Sequence, residues 1–79
     1  MALLEAAGYR CTKSGGSLGE WDVIGISATD VVLCQVKSNR GPGPLERLAL
    51  RDFVIPPIGV RKLIHVWRDR ARRPDVQEL

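Results

Sequence analysis

The sequence predicts a small α/β domain in which a mixed central sheet is flanked by helices, with the element order helix, three strands, helix, strand (αβββαβ). Three observations carry this. Two apolar, β-branched runs at 21–27 and 31–37, separated by Ala28-Thr29-Asp30, read as a hairpin. Behind Pro44, the residues Leu45, Leu48, Ala49 and Phe53 recur at helical spacing, so 44–53 reads as an amphipathic helix with proline in its first turn. After the Pro56-Pro57 break, Leu63-Ile64-His65-Val66-Trp67 reads as a further strand.

The remaining elements are placed around these. Residues 1–7 form a short helix stopped by Gly8, which suits the left-handed position after a helix. Residues 9–13 are a modest strand. Residues 14–19 are a glycine-rich connection whose hydroxyls and backbone freedom suit either a phosphate contact or a plain flexible loop. Gly41-Pro42-Gly43-Pro44 is a turn, and 75–79 adds a short edge strand beyond Pro74. No repeat or linker interrupts the chain, so 1–79 is read as one domain.

With 79 residues, one small core is expected, and a core of that size supplies only roughly 3–5 kcal/mol. Hydrophobic residues at 44% and charged residues at 27% belong to an ordinary globular protein. No apolar run approaches the roughly 20 residues that span a bilayer, and the first residues do not form a secretory signal, so a cytoplasmic location is expected. There Cys11 and Cys34 are read as buried thiols. Two cysteines and His65 are too few for a four-ligand zinc site. The net charge of +3 is unevenly spread: residues 1–39 carry three basic side chains against four acidic ones, and 40–79 carry nine against five. Arg68, Arg70, Arg72 and Arg73 crowd together, either as a phosphate-binding cluster or as a solvated basic tail.

Side chains alternate along a strand, so Val31, Leu33, Gln35 and Lys37 share one face of the third strand. Pairing residue i with a partner near 58 minus i places Asp22 beside residue 36, within one position of Gln35 and Lys37. A carboxylate, an amide oxygen and a lysine suit a phosphodiester: the oxygens can hold Mg²⁺, and Lys37 can orient a water, lower its pKa or stabilise charge on the phosphate. The plain alternative is an Asp–Lys ion pair with Gln35 as a polar neighbour.

Ser14-Gly15-Gly16-Ser17, Glu20-Trp21-Asp22-Val23-Ile24-Gly25 and Val32-Leu33-Cys34-Gln35-Val36-Lys37-Ser38 together resemble the core of PD-(D/E)xK nucleases, especially archaeal-type Holliday-junction resolvases and related phage proteins. The resemblance covers roughly residues 4–67. It implies a restriction-endonuclease-like core and a Mg²⁺-dependent endodeoxyribonuclease, with Mn²⁺ able to substitute. On this resemblance Asp22, Gln35 and Lys37 are the catalytic residues and Ser14 or Ser17 lies in the loop before the aspartate. Gln35 stands where a glutamate or aspartate is commoner, which removes a negative charge from the metal site. The resemblance also implies a metal-binding glutamate on a longer first helix; here that helix is expected to be shortened, with Glu20 preferred over Glu5 as the substitute ligand.

Arg40, Arg68, Arg70, Arg72 and Arg73, with Ser14 and Ser17, are expected on the DNA backbone. Trp21 and Trp67 either stack on bases or pack in the core, and His65 is expected to be structural. The expected partners are DNA and a second copy of the chain in a homodimer, with no small-molecule cofactor. Two other readings stay open: a nuclease-fold DNA-binding or assembly module without catalysis, and an interaction domain that binds no nucleic acid.

Overall fold

A computed structural model describes residues 2–13 and 21–79; Ser14, Ser17, Glu20 and the rest of the glycine-rich connection lie outside the described residues. The elements are α1 (Ala2–Ala6), β1 (Arg10–Lys13), β2 (Val23–Ile26), β3 (Val31–Ser38), α2 (Pro44–Asp52), β4 (Val60–Trp67) and β5 (Asp75–Glu78). The five strands lie in the order β1-β2-β3-β4-β5. β1, β2 and β3 are antiparallel, β3 and β4 are parallel, and β5 returns antiparallel to β4. The protein is thus an α/β fold with a mixed sheet and two helices. Its order differs from αβββαβ by the final strand, and the Arg61 guanidinium ties that strand to the sheet through two 2.8 Å bonds to Glu78.

The sheet is covered on both faces, which is why β3 is apolar on both sides. On one face Leu4 of α1 packs with Val23, Val32, Cys34 and Leu63. On the other, Leu50 of α2 packs with Trp21, Leu33, Ile64 and Val66. Gly8 closes α1 in the left-handed region at φ +98°. Its N–H donates to Glu5 and that of Tyr9 to Leu4, a Schellman pair that satisfies two carbonyls of the helix end.

The β2–β3 hairpin is tighter than expected. Val23 pairs with Cys34 and Ile26 with Val31, so partners sum to one less than 58, and the turn shrinks to Ala28 and Thr29. The reason is local. The Ser27 N–H donates to the Asp30 carbonyl at 2.9 Å, the Ser27 hydroxyl donates to Asp30 Oδ1 at 2.6 Å, and the Tyr9 hydroxyl donates to Asp30 Oδ2 at 2.7 Å. These hydroxyl donors hold the Asp30 carboxyl below its usual range.

Helix α2 presents a different face from the one its leucines suggest. Leu45 is 83% exposed and Leu48 43%, whereas Leu50 is fully buried. The inward face is set by polar anchors at both ends. Glu46 turns onto the sheet in the first turn, and Lys62, buried beneath the last turn, donates from Nζ to the Arg51 carbonyl at 2.6 Å. A cation there satisfies an otherwise open helix-end carbonyl and opposes the negative end of the helix dipole.

The two cysteines also differ from each other. Cys34 is buried and Cys11 half-buried, and both are free thiols. They lie on β1 and β3 with β2 between them. Two strand spacings amount to about 9.5 Å, beyond the roughly 7 Å between Cα atoms that a disulfide spans. Burial pushes the Cys34 thiol up to about 11.

His65 is buried on the α1 face, between Val36 and Val76 in the ladder. Burial lowers its pKa from the ordinary 6.5. The unfolded chain therefore takes up this proton first as pH falls, so the stabilising contribution is complete above about 6.5 and is lost progressively below it. The thermal midpoint is expected to drop between pH 7.5 and 5, and His65→Leu is expected to flatten that part of the profile. An unchanged slope in the variant would assign the drop to other groups.

Candidate active site

The site forms where β3 and β4 end. Because the strands are parallel and Ser38 pairs with Trp67, their C-terminal ends share one edge of the sheet. In open α/β sheets this edge is where ligands are commonly bound. Gln35 and Lys37 reach it on the α2 face, two residues apart on β3. The short connection 39–43 then drops α2 directly over them, with Pro44 at its start and an acidic residue, Glu46, in its first turn. An acid there also suits the positive end of the helix dipole.

Glu46 joins the two β3 side chains. Its Oε2 accepts from Gln35 Nε2 at 3.2 Å and from Lys37 Nζ at 3.0 Å, and its Oε1 also lies 3.0 Å from Lys37 Nζ. Gln35 is buried, while the Lys37 and Glu46 side chains retain about a third of their exposure (33% and 35%). The ammonium and the carboxylate are therefore ordered by the protein yet open to solvent. No pattern in the residue types singles out Glu46. The usable signal is positional: a short crossover from β3 must bring the first turn of its helix back over the strand end.

Asp22 arrives by a different route. The Cys34 carbonyl, whose residue pairs with Val23, accepts the Asp22 N–H at 2.9 Å. Asp22 and Val23 thus stand together opposite one residue, the two-against-one pattern of a β-bulge. Backbone groups face the same neighbour at every second residue of an antiparallel strand, so the Val36 N–H also points toward β2, just past the last rung. Asp22 Oδ2 accepts it at 2.8 Å. The carboxylate stands in for the missing rung, in the plane of the sheet, beside the backbone that links Gln35 to Lys37. Gln35 and Lys37 thus lie on the α2 face, and Asp22 stands at the strand edge on the backbone amide between them.

The other expected site residues divide. Glu5 is exposed on α1, over the opposite face, where its charge is felt by Cys11; it is not brought to Gln35 and Lys37. Trp21 is fully buried, with its ring in an edge-to-face contact 5.8 Å from Phe53, so it packs the core and does not stack on bases. Arg40, Arg70, Arg72 and Arg73 are exposed and follow β3 or β4 at the site's own edge. Arg68 is a strut: its Nε donates to Asp75 Oδ2 at 3.1 Å and its NH1 donates to the Asn39 carbonyl.

Among the described residues, no three His, Cys, Asp or Glu side chains gather into a ready-made cage. The oxygen donors on the α2 face are the Glu46 carboxylate, already bonded to Lys37 and Gln35, and the Gln35 amide oxygen, while the Asp22 carboxylate stands on the Val36 amide with its charge felt by Cys34 of the α1 face. Their chemistry fits Mg²⁺, which takes one or two carboxylates and keeps several waters. No helix is long and apolar enough to cross a membrane. Comparison with family models, curated proteins and solved structures finds no match to this chain.

Proposed function

We propose that this chain is a metal-dependent DNA endonuclease of the PD-(D/E)xK kind, acting where β3 and β4 end. One observation carries the reading: Lys37 is held 3.0 Å from a helix carboxylate, on the face it shares with Gln35, at the edge from which the arginines emerge. A solvated ion pair is an ordinary feature of a surface. Here, however, the inward face of a core helix gives its first turn to Glu46 and leaves Leu45 outside, an apolar pattern broken where function would break it. A mixed sheet with a helix on each face supports the reading.

In this reading the Glu46 carboxylate and the Gln35 amide oxygen, with Asp22 at the adjoining strand edge, would hold Mg²⁺, which would polarise the phosphate and acidify a water. Lys37 donates hydrogen bonds to the phosphate oxygens as charge builds on them. Glu46 keeps the ammonium aimed at that position before DNA arrives, and Asp22 fixes the Val36 amide so that Gln35 and Lys37 keep a constant spacing. The buried Gln35 side chain is locked between strand and helix. The exposed arginines engage the flanking phosphates. A homodimer accompanies the proposal, since a two-fold pair is the simplest way to address two strands.

A second reading rests on Gln35 itself. Its Nε2 faces Glu46, so the amide presents a donor where an acid would present charge, as suits a DNA-binding module without catalysis. The two readings separate on a panel of linear, nicked and four-way DNA, with and without Mg²⁺ or Mn²⁺. Metal-dependent cleavage supports the nuclease. Salt-sensitive binding that ignores the metal, without cleavage, supports the module, and neither activity removes both.

The turn after β4 gives a further expectation. Arg70 has φ +63° in a turn closed by the Ala71 N–H on the Arg68 carbonyl at 3.1 Å, and a non-glycine residue there costs roughly 1–2 kcal/mol. Arg70→Gly is expected to raise the thermal midpoint while weakening DNA binding and lowering the salt slope by about one. Two changes of the same sign would contradict the assignment.

A further inference from the structure

Asn39 lies one residue beyond β3 with φ +63°, a left-handed conformation that asparagine tolerates better than most residues. Its side chain and that of Asp69 form a two-way bridge. Asn39 Nδ2 donates to Asp69 Oδ1 at 3.0 Å, and the Asp69 N–H donates to Asn39 Oδ1 at 2.7 Å. The Asn39 N–H reaches the Trp67 carbonyl at 2.6 Å, and its own carbonyl takes Arg68 NH1. The ends of β3 and β4 are therefore fastened at an exposed place where no apolar burial would hold them.

The bridge also keeps an acid in the middle of a basic turn. Taken alone, the Asp69 charge repels phosphate, so its presence beside Arg68, Arg70, Arg72 and Arg73 calls for another role. We propose that the Asn39–Asp69 bridge is a positioning device. It holds the turn after β4 against the end of β3 so that Arg70, Arg72 and Arg73 lie along the same DNA backbone that meets Lys37. Ordering the arginines in advance removes part of the cost of immobilising long side chains on binding. This inference rests on the DNA reading given above.

Two substitutions with the same charge change separate positioning from charge. Asp69→Asn keeps an acceptor for Asn39 Nδ2, and Asp69→Ala does not; both remove one negative charge. Binding of a fluorescent duplex is measured by anisotropy over a salt series, without metal. Asp69→Asn is expected to bind at least as tightly as the wild type, and Asp69→Ala roughly three- to tenfold more weakly than Asp69→Asn, the worth of one hydrogen bond. Asn39→Gly, which keeps the backbone conformation and the charge but removes the amide, is expected to bind roughly three- to tenfold more weakly than the wild type, with circular dichroism showing that each variant is folded. Equal affinities for the two Asp69 variants, within about twofold, would overturn the positioning role and leave DNA binding standing. A wild type that binds no duplex even at low salt would overturn both.

Discussion

Lys37→Ala is expected to lower Mg²⁺-dependent DNA cleavage by about 10²–10³-fold, the usual consequence of deleting one pre-aligned donor to a transition-state oxygen. The expected cost to folding is small. The Lys37–Glu46 pair is a third exposed, and pairs of that kind contribute at most ~1 kcal/mol. Activity and stability should therefore separate. Single-turnover cleavage should collapse, the thermal midpoint should move by only a few degrees, and the salt slope of DNA binding should fall by about one. Lys37→Arg keeps the charge but replaces a compact ammonium with a planar fork, so binding should survive better than cleavage. Equal cleavage rates for wild type and Lys37→Ala would remove Lys37 from the chemistry.

Trp21→Ala is expected to have the opposite profile, with loss of the fold and not of a single activity. Trp21 has no exposed surface and packs against Leu33, Leu50, Ile64 and Val66, with Phe53 at its edge. Truncating a buried tryptophan costs about 3–5 kcal/mol, which is about the whole net stability of a core this small. The variant should be largely unfolded at room temperature by circular dichroism, whereas Trp21→Phe should retain a cooperative urea transition. Because Trp21 directly precedes Asp22, its burial also anchors the bulge that carries the carboxylate. A Trp21→Ala protein that melts like the wild type would mean that this ring does not hold α2 to the sheet.

Much of this architecture is legible in the residues. The β2–β3 hairpin, the limits of α2, the helix stop at Gly8 and the terminal edge strand follow from local chemistry, and so does the shared face of Gln35 and Lys37, since strand alternation depends on nothing distant. What escapes is non-local. The leucines of α2 point to an inward stripe through Leu45 and Leu48, but the sheet beneath offers polar Gln35, Lys37 and Lys62, which select Glu46 and the helix-end carbonyl instead. The hairpin register is shifted by one because Ser27 and Asp30 pair with each other, with Tyr9 reinforcing Asp30 from the far side of β2. Asp22 reaches the Val36 amide through a bulge, which no alternation rule reports. Asn39 and Asp69, 30 residues apart, meet only because two parallel strands end together.

The most direct examination of the site is a Mn²⁺ titration followed by NMR on uniformly labelled protein. On the proposed metal site of Asp22, Gln35 and Glu46, the amide signals of Asp22, Gln35, Val36, Lys37 and Glu46 should broaden first, while those of Glu5 and Cys11, on the other face of the sheet, should persist to higher metal. Broadening centred on α1, or uniform broadening with no focus at the end of β3, would contradict a metal site there.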